Sequence, residues 1–236
     1  SEVTIIKSKT FQHCTSLSKV IFDDNSSLKT IENNAFHCCS SLNEILIPSK
    51  VEDIGMYAFA QCSSLSNINL QSLSSLKSLG KCAFGECLML MSISIPSSIT
   101  NLDDCIFRGC HLLVHVDIPS SVIKIGNSCF EECHSLKEIT LPSSLNEIGD
   151  NAFSLCTSLE QITIPSSVTI IGKYAFQNCF LLKSVTILSS EIEIGDKAFD
   201  GISGKKEYSA PFSAIKGKYG SIAFEPPEHN DLQQNA

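Results

Sequence analysis

Cysteine offers the most chemistry in this chain of 236 residues, which holds 12 cysteines and 6 histidines. Free thiols act as nucleophiles and metal ligands, and paired thiols form disulfides. Eight cysteines recur three residues after a phenylalanine: Cys14, Cys39, Cys62, Cys87, Cys110, Cys133, Cys156 and Cys179. That register predicts a column of small, buried side chains. Because their Cβ vectors would run parallel, which suits disulfides poorly, we expect these thiols to stay reduced.

The remaining cysteines stand outside that register: Cys38, Cys82, Cys105 and Cys129. Cys82 and Cys105 each precede a register phenylalanine by two residues, so they would stack on successive repeats at a partly exposed position. We predict them as the candidate disulfide, and the alternative is a pair of free thiols. No two cysteines show C-x-x-C spacing, so the sequence predicts no zinc site.

Two other kinds of polar site have candidates. His111 and His134 occupy the same place in neighbouring repeats, where they could bind a metal or sense pH. The alternative is two solvated side chains. Asn25-Ser26-Ser27 forms a glycosylation sequon, which is usable in a eukaryotic secretory route and is otherwise an ordinary polar turn.

Catalytic motifs are missing from the sequence. It contains no G-x-S-x-G, no H-E-x-x-H and no P-loop, so we predict a protein that is not an enzyme and has no cofactor. The net charge of −8 argues against a nucleic-acid partner. No apolar run approaches the roughly 18 residues of a membrane helix, so we expect no membrane insertion by this segment. Residues 1–6 lack an initiator methionine and a signal-like pattern, and we expect a processed chain or a piece of a longer one.

Repetition dominates the chain, with spacings of 23 or 25 residues between register phenylalanines at 11, 36, 59, 84, 107, 130, 153, 176 and 199. Within each unit Leu-x-x-Ile-x-Ile alternates, which predicts a short strand. Proline ends this strand, because it cannot donate to a ladder. A second extended piece covers Val-x-x-Ile, and a glycine follows. Ala, Phe, Cys and Leu then fall at offsets 0, 1, 4 and 7, which indicates one face of a helical turn.

A unit of this length cannot bury its own apolar face, so the pattern predicts a solenoid in which neighbouring coils supply the core. We expect about eight coils of 23–25 residues, with a short parallel sheet on a concave face and short strands and helical turns elsewhere. The predicted boundaries are 1–199 for the solenoid, 200–224 for a C-terminal cap and 225–236 for a disordered tail.

The unit A-F-x-x-C-x-x-L-x-x-I-x-I-P-S-S-V-x-x-I-G resembles the BspA-like leucine-rich repeat, most cleanly in residues 130–199. Asp23 and Gln71 depart from it where proline is expected, and Asp103 where glycine is expected. The resemblance implies a protein-binding surface protein of anaerobic bacteria or parasitic protists, in some cases an adhesin for host or matrix proteins. We therefore expect a cell-surface or secreted location. The alternative is a cytoplasmic scaffold that binds a regulatory protein.

The fourth and fifth units break the pattern of their own repeat just before the first strand. Apolar side chains replace Ser, Asn, Lys or Glu there, and polar residues of the next strand flank them. Exposed apolar patches usually mark interaction sites, and methionine suits adaptable contacts. We therefore predict a partner-binding patch, and the alternative is that these side chains tuck against the loop. The patch residues are Met89, Met91, Leu112, Val114, His115 and Asp117.

Overall fold

The computed structural model describes residues 2–23 and 25–202, together with the backbone of residues 207–209 and 215–216. These residues form 18 short strands, and all strand pairs are parallel. Successive coils stack their strands on two sides, which confirms the predicted repeat solenoid. The predicted cap at 200–224 lies largely outside the described residues, and the tail at 225–236 lies entirely outside them.

One side of the solenoid, here called the Val-x-x-Ile face, carries ten strands in two ladders. The first ladder holds Ile5–Ile6 (β1), Thr30–Ile31 (β3), Asp53–Ile54 (β5) and Ser78–Leu79 (β7). The second holds Asn101–Leu102 (β9), Lys124–Ile125 (β11), Glu147–Ile148 (β12), Ile170–Ile171 (β14), Ile192–Ile194 (β16) and Ile215–Lys216 (β18).

The other strand side, here called the Ile-x-Ile face, is divided into three shorter ladders. The first ladder holds Lys19–Val20 (β2), Glu44–Ile45 (β4) and Asn67–Ile68 (β6), and the second holds Ser92–Ser94 (β8) and His115–Asp117 (β10). The third holds Gln161–Ile164 (β13), Ser184–Ile187 (β15) and Glu207–Ser209 (β17). We number the coils by their phenylalanine, from Phe11 in the first to Phe176 in the eighth. The gap between β10 and β13 is then the sixth coil.

The Ala-Phe-x-x-Cys segment closes each coil with turns, and no described residue lies in an α-helix or a 3₁₀-helix. In each coil the residue just before this segment and one residue within it have positive φ, for example Asn34 at 58° and Cys38 at 62°. Left-handed residues interrupt a right-handed helix, so the expected helical turns stay single turns. Alternate amides cross to the next coil, as when the amide of Phe36 donates to the carbonyl of Ala58 at 2.8 Å.

The core is a stack of phenylalanine rings that runs the length of the solenoid. Neighbouring ring centroids lie 5.1 to 5.9 Å apart, and the rings are within 13° of parallel. From Phe36 onward every stacked ring is buried. Leucine and isoleucine of the two strand sides pack around this stack, so each coil buries its apolar face against its neighbours.

The cysteine register follows the ring stack, and its thiols are reduced in the structure. Each thiol from Cys39 onward donates to the phenylalanine carbonyl of the coil before, at 3.0 to 3.3 Å. These seven side chains are buried, as predicted. The prediction is wrong for Cys14, which is exposed in the first coil. Phe11 of the same coil is half-buried, because a second coil covers only one side of it.

Two other consensus residues join the coils. The second serine of Pro-Ser-Ser donates to a carbonyl of the preceding coil, as Ser144 Oγ does to Val122 at 2.7 Å. Glycines on the Val-x-x-Ile face mark places where backbones come close. A Cβ added at Gly172 would lie 2.5 Å from the carbonyl carbon of Gly149, so no larger residue fits without movement. In the described part of the chain, no helix has the length and apolar character needed to cross a membrane.

Candidate protein-binding surface

The predicted apolar patch lies at the start of the Ile-x-Ile face on the fourth and fifth coils. Met89 and Met91 precede β8, and Leu112 and Val114 precede β10, which pairs with β8 in register. The amide of Val114 donates to the carbonyl of Met91 at 2.9 Å, so these two positions are direct neighbours. The four side chains are 40–56% exposed. They therefore face solvent and do not tuck against the loop.

The polar end of the patch is organised around Asp117. Its carboxylate accepts a hydrogen bond from Ser94 Oγ at 2.8 Å and lies 2.9 Å from His115 Nε2. The Ser94 hydrogen bond, followed by the nearby His115, lowers the pKa of Asp117. Because the Ser94 hydroxyl donates to the carboxylate and not to the imidazole, this group lacks the geometry of an activated serine nucleophile. It presents a fixed negative charge beside the apolar patch.

Two shallow depressions adjoin the patch where the ladder is interrupted. One holds about 510 Å³ and has a charged lining: Val114, His115, Lys137, Glu138, Glu160, Gln161, Lys183 and Ser184. The second holds about 590 Å³ and extends from Gln71 and Ser94 across β10 to Thr140. Both depressions are lined by His115 and Glu138. Residues 138–141 form no backbone hydrogen bond to the coil on either side. This surface therefore combines an apolar patch with adjoining charged depressions, at the point where the ladder is interrupted.

The same face also exposes apolar side chains that lie outside the predicted patch. Ile21 is 79% exposed and Leu46 is 65% exposed, and both follow a strand on the first two coils. Leu181 stands at the register position of Met89 and Leu112 and is also exposed. The signal for Leu181 was present in the sequence, since Phe180-Leu181 departs from the Ser or Thr consensus in the same way as Leu88-Met89.

The repeat has a match among known protein families. A model of the BspA type leucine rich repeat region matches residues 1–114 and 110–216, in six copies. The chain belongs to the BspA-type leucine-rich repeat family. This finding confirms the resemblance deduced from the repeat motif.

Solved structures of bacterial leucine-rich repeat proteins are similar to this chain. A leucine-rich repeat protein from Bacteroides ovatus ATCC 8483 is 30% identical with a TM-score of 0.69, and the match covers 92% of this chain and 64% of that one. The leucine-rich repeat protein of T. pallidum is 26% identical with a TM-score of 0.60, and the match covers 78% of this chain and 76% of that one. This BspA-type chain thus spans less than two thirds of the Bacteroides ovatus protein. No curated protein was found to match it.

The thiols of Cys82 and Cys105 are free in this BspA-type solenoid, and both are half-buried. Burial, followed by the neighbouring Cys82, raises the pKa of Cys105 to about 11. A disulfide between them stays a prediction. Asn25 lies in an exposed turn, so the sequon is accessible, and its glycosylation also stays a prediction.

Two pairs of histidines bring their rings together across neighbouring coils, stacked in one pair and tilted in the other. The rings of His111 and His134 lie 4.7 Å apart, and His134 Nδ1 is 3.0 Å from the carbonyl of Leu155. Neither ring belongs to a group of three metal-ligating side chains within the described residues. The other pair, His13 and His37, has ring centroids 5.7 Å apart and does belong to such a group.

The third member of that group is Cys38, and the three residues bridge the first and second coils. Burial, followed by the nearby His13, lowers the pKa of His37, which favours the neutral imidazole. Burial, followed by the charges of Cys39 and Glu86, raises the pKa of the Cys38 thiol. Sequence reasoning missed this group because its members are far apart in the chain, although His13 and Cys38 share one repeat position.

Proposed function

We propose that this chain is a non-catalytic, adhesin-like module of a cell-surface or secreted protein. In this proposal it binds a host-surface or extracellular-matrix protein through the Ile-x-Ile face. The observation that carries the proposal is the exposed apolar patch of Met89, Met91, Leu112 and Val114. Such a patch on a soluble surface usually marks a site for another protein. Family membership supports protein binding in general and does not name the partner.

The surroundings of the patch favour a broad protein contact. Asp117, Glu138 and Lys137 place both signs of charge beside the apolar side chains. An apolar centre with a polar, charged rim is the usual composition of a protein interface. The adjoining depressions are open and mostly polar, whereas small-molecule sites are concave and mostly apolar. A folded protein partner fits this surface better than a small ligand.

The experiment is a binding titration of the purified chain on immobilised fibronectin, fibrinogen and laminin. The variant M89S/L112S/V114S removes the exposed apolar groups. We expect saturable binding to at least one of these proteins, weakened by roughly 10-fold or more in the variant, because truncated interface anchors each contribute about 1 kcal/mol or more. Both proteins should have the same circular dichroism, since the altered side chains are exposed.

The chain offers a matched control on its opposite side. Ile123 and Ile170 are 43% and 42% exposed on the Val-x-x-Ile face. The variant I123S/I170S removes a similar kind of surface and should bind as tightly as the unaltered chain. Equal loss in both variants would refute the assignment of binding to the Ile-x-Ile face.

An intracellular scaffold that binds a regulatory protein through the same face is the second candidate. The reduced thiol column favours it, because cytosolic proteins keep their thiols reduced. Protease treatment of intact cells of the source organism separates the two candidates. Digestion of the chain on intact cells supports a surface location, whereas full protection together with a lack of matrix binding supports the scaffold.

A further inference from the structure

We propose that His13, His37 and Cys38 form a Zn²⁺ site that joins the first coil to the second. One nitrogen of each imidazole and the Cys38 sulfur all lie within 4.8 Å of one another. Imidazole nitrogen and thiolate sulfur are the ligands that Zn²⁺ prefers in proteins. The inference is independent of the proposed partner, because this group lies on the turn side of the solenoid.

The distances are close to those of a tetrahedral zinc centre. With Zn–N of about 2.0 Å and Zn–S of about 2.3 Å, ligand atoms are separated by roughly 3.3 to 3.6 Å. The distance between Cys38 Sγ and His37 Nε2 is already 3.5 Å. His13 has to approach by no more than about 1.5 Å, and its exposed side chain can do so by changing rotamer. Three protein ligands leave the fourth position to water.

The repeat explains why these side chains meet. His13 stands two residues after Phe11, and Cys38 stands two residues after Phe36. Both residues have φ of 62°, so their side chains leave the backbone in the same direction on adjacent coils. His37 precedes Cys38 directly, and its ring lies against that of His13. A left-handed backbone at two non-glycine residues therefore directs both ligands to one place.

Neighbouring amides supply outer partners for the ligands. Gln12 Nε2 lies 3.2 Å from His37 Nδ1. When Nε2 binds the metal, Nδ1 carries the ring proton, so the Gln12 amide would turn its Oε1 toward Nδ1 to accept that hydrogen bond. The thiol of Cys38 donates to Gln61 Oε1 at 2.9 Å, and Gln61 Nε2 donates to Glu86 Oε2 at 3.0 Å. These hydrogen bonds restrict the sulfur while it is protonated. The thiolate that binds a metal has no proton to donate, so the Gln61 amide would turn its Nε2 toward the sulfur and donate to it. Outer partners of this kind orient metal ligands in known sites.

The position of the site suggests what the metal would do. Among the described residues, Cys14 of the first coil is exposed and Phe11 is half-buried, whereas the equivalent residues of the next seven coils are buried. Zn²⁺ bound across His13 and Cys38 would fasten this coil to the second one. A bound metal stabilises the folded form over the unfolded form, so it would strengthen the contact between these two coils.

The test titrates the full chain, kept reduced by a reductant that contains no thiol, with Co²⁺ and then displaces it with Zn²⁺. We expect one Co²⁺ per chain with thiolate charge-transfer absorption, and loss of that absorption when Zn²⁺ is added. C38S should abolish the thiolate absorption. H13N and H37N should weaken binding by more than the roughly 10- to 100-fold that loss of an outer partner causes.

Matched controls use the same residue types elsewhere in the solenoid. H111N/H134N alters a stacked histidine pair, and C82S/C105S alters two half-buried thiols, so both should keep the affinity of the unaltered chain. Circular dichroism establishes that each variant is folded. The proposal is wrong if the unaltered chain gives no thiolate absorption, or if a control variant loses the metal while C38S keeps it.

Discussion

The two strand sides of each coil share one core but differ in what they present to solvent. On the Val-x-x-Ile face the outward charges pair across coils. Glu52 lies 3.2 Å from Lys29 and 2.5 Å from Lys77, and Lys124 lies 2.9 Å from Glu147. On the Ile-x-Ile face the outward positions include exposed apolar groups such as Met91 and Leu46. Within the part of the chain that the structure describes, the first surface carries these cross-coil ion pairs, and the second carries more of the exposed apolar side chains.

The two faces also differ in how closely the backbones pack and in where the strand ladders are interrupted. On the Val-x-x-Ile face the coils pack so closely that glycine is needed at Gly149 and Gly172. The ladder there has one break, between β7 and β9, and then runs unbroken to β18. On the Ile-x-Ile face the ladder stops at β10 and resumes at β13. Close backbone packing therefore stabilises the Val-x-x-Ile face, while the Ile-x-Ile face contains the interrupted ladder beside the patch. Binding surfaces are often drawn from the less constrained parts of a fold.

The largest effect should come from crowding the tightly packed face. In G172A the new methyl group would lie 2.5 Å from the carbonyl carbon of Gly149, so the coils must separate. We expect a loss of about 3 kcal/mol in the free energy of unfolding, measured by urea denaturation. In G85A the nearest atom is 3.5 Å away, an ordinary contact, and stability should change little. Equal effects in both variants would contradict the claim of close packing at Gly172.

Hydrogen exchange should distinguish the two faces within the sixth coil. The amides of Asn146 and Gly149 donate to carbonyls of the fifth coil at 2.8 and 2.9 Å, whereas residues 138–141 donate to neither neighbour. We expect the amides of residues 138–140 to exchange roughly 100-fold faster than those of Asn146 and Gly149, as measured by NMR. Similar protection on both sides would show that the ladder is closed in solution.

The smallest effect should come from the paired charges. Hydrogen bonds from Lys77 and then Lys29 lower the pKa of Glu52 below its ordinary 4.5. A lowered carboxyl pKa in the folded state adds stability above the unfolded pKa, and that stability disappears as pH falls through the folded pKa. E52Q should therefore be slightly less stable than the unaltered chain at about pH 7, and the difference should become smaller at about pH 3.

Urea denaturation at both pH values measures the difference. E160Q provides the comparison on the Ile-x-Ile face, where Glu160 lies 3.4 Å from Lys183 and is more exposed than Glu52. Its effect should be smaller still, because exposed ion pairs contribute little to stability. A larger loss in E160Q than in E52Q would contradict the view that paired charges distinguish the Val-x-x-Ile face.

Much of the fold could be predicted because the same residue types recur wherever the same structural position recurs. The phenylalanine register predicted the ring stack, and the cysteine register predicted seven of eight buried thiols. Cys14 was the exception, because among the described residues only one coil packs against the first coil. The helical spacing of Ala, Phe and Cys predicted a turn but could not reveal the positive φ of residues such as Tyr57 at 56°. Side-chain spacing carries no information about the sign of φ.

By itself, the sequence determined the period, the inward residues, the strand positions and the repeat family, because apolar residues must recur wherever coils stack. It also showed that Met89 and Leu112 differ from the residues at the same position in other repeats, since the repeats can be compared with one another. Only the tertiary structure decided which distant side chains meet, such as His13 with Cys38, and where the ladder opens beside Glu138. These features depend on the registration of whole coils and on backbone angles, which no local pattern of residue types specifies.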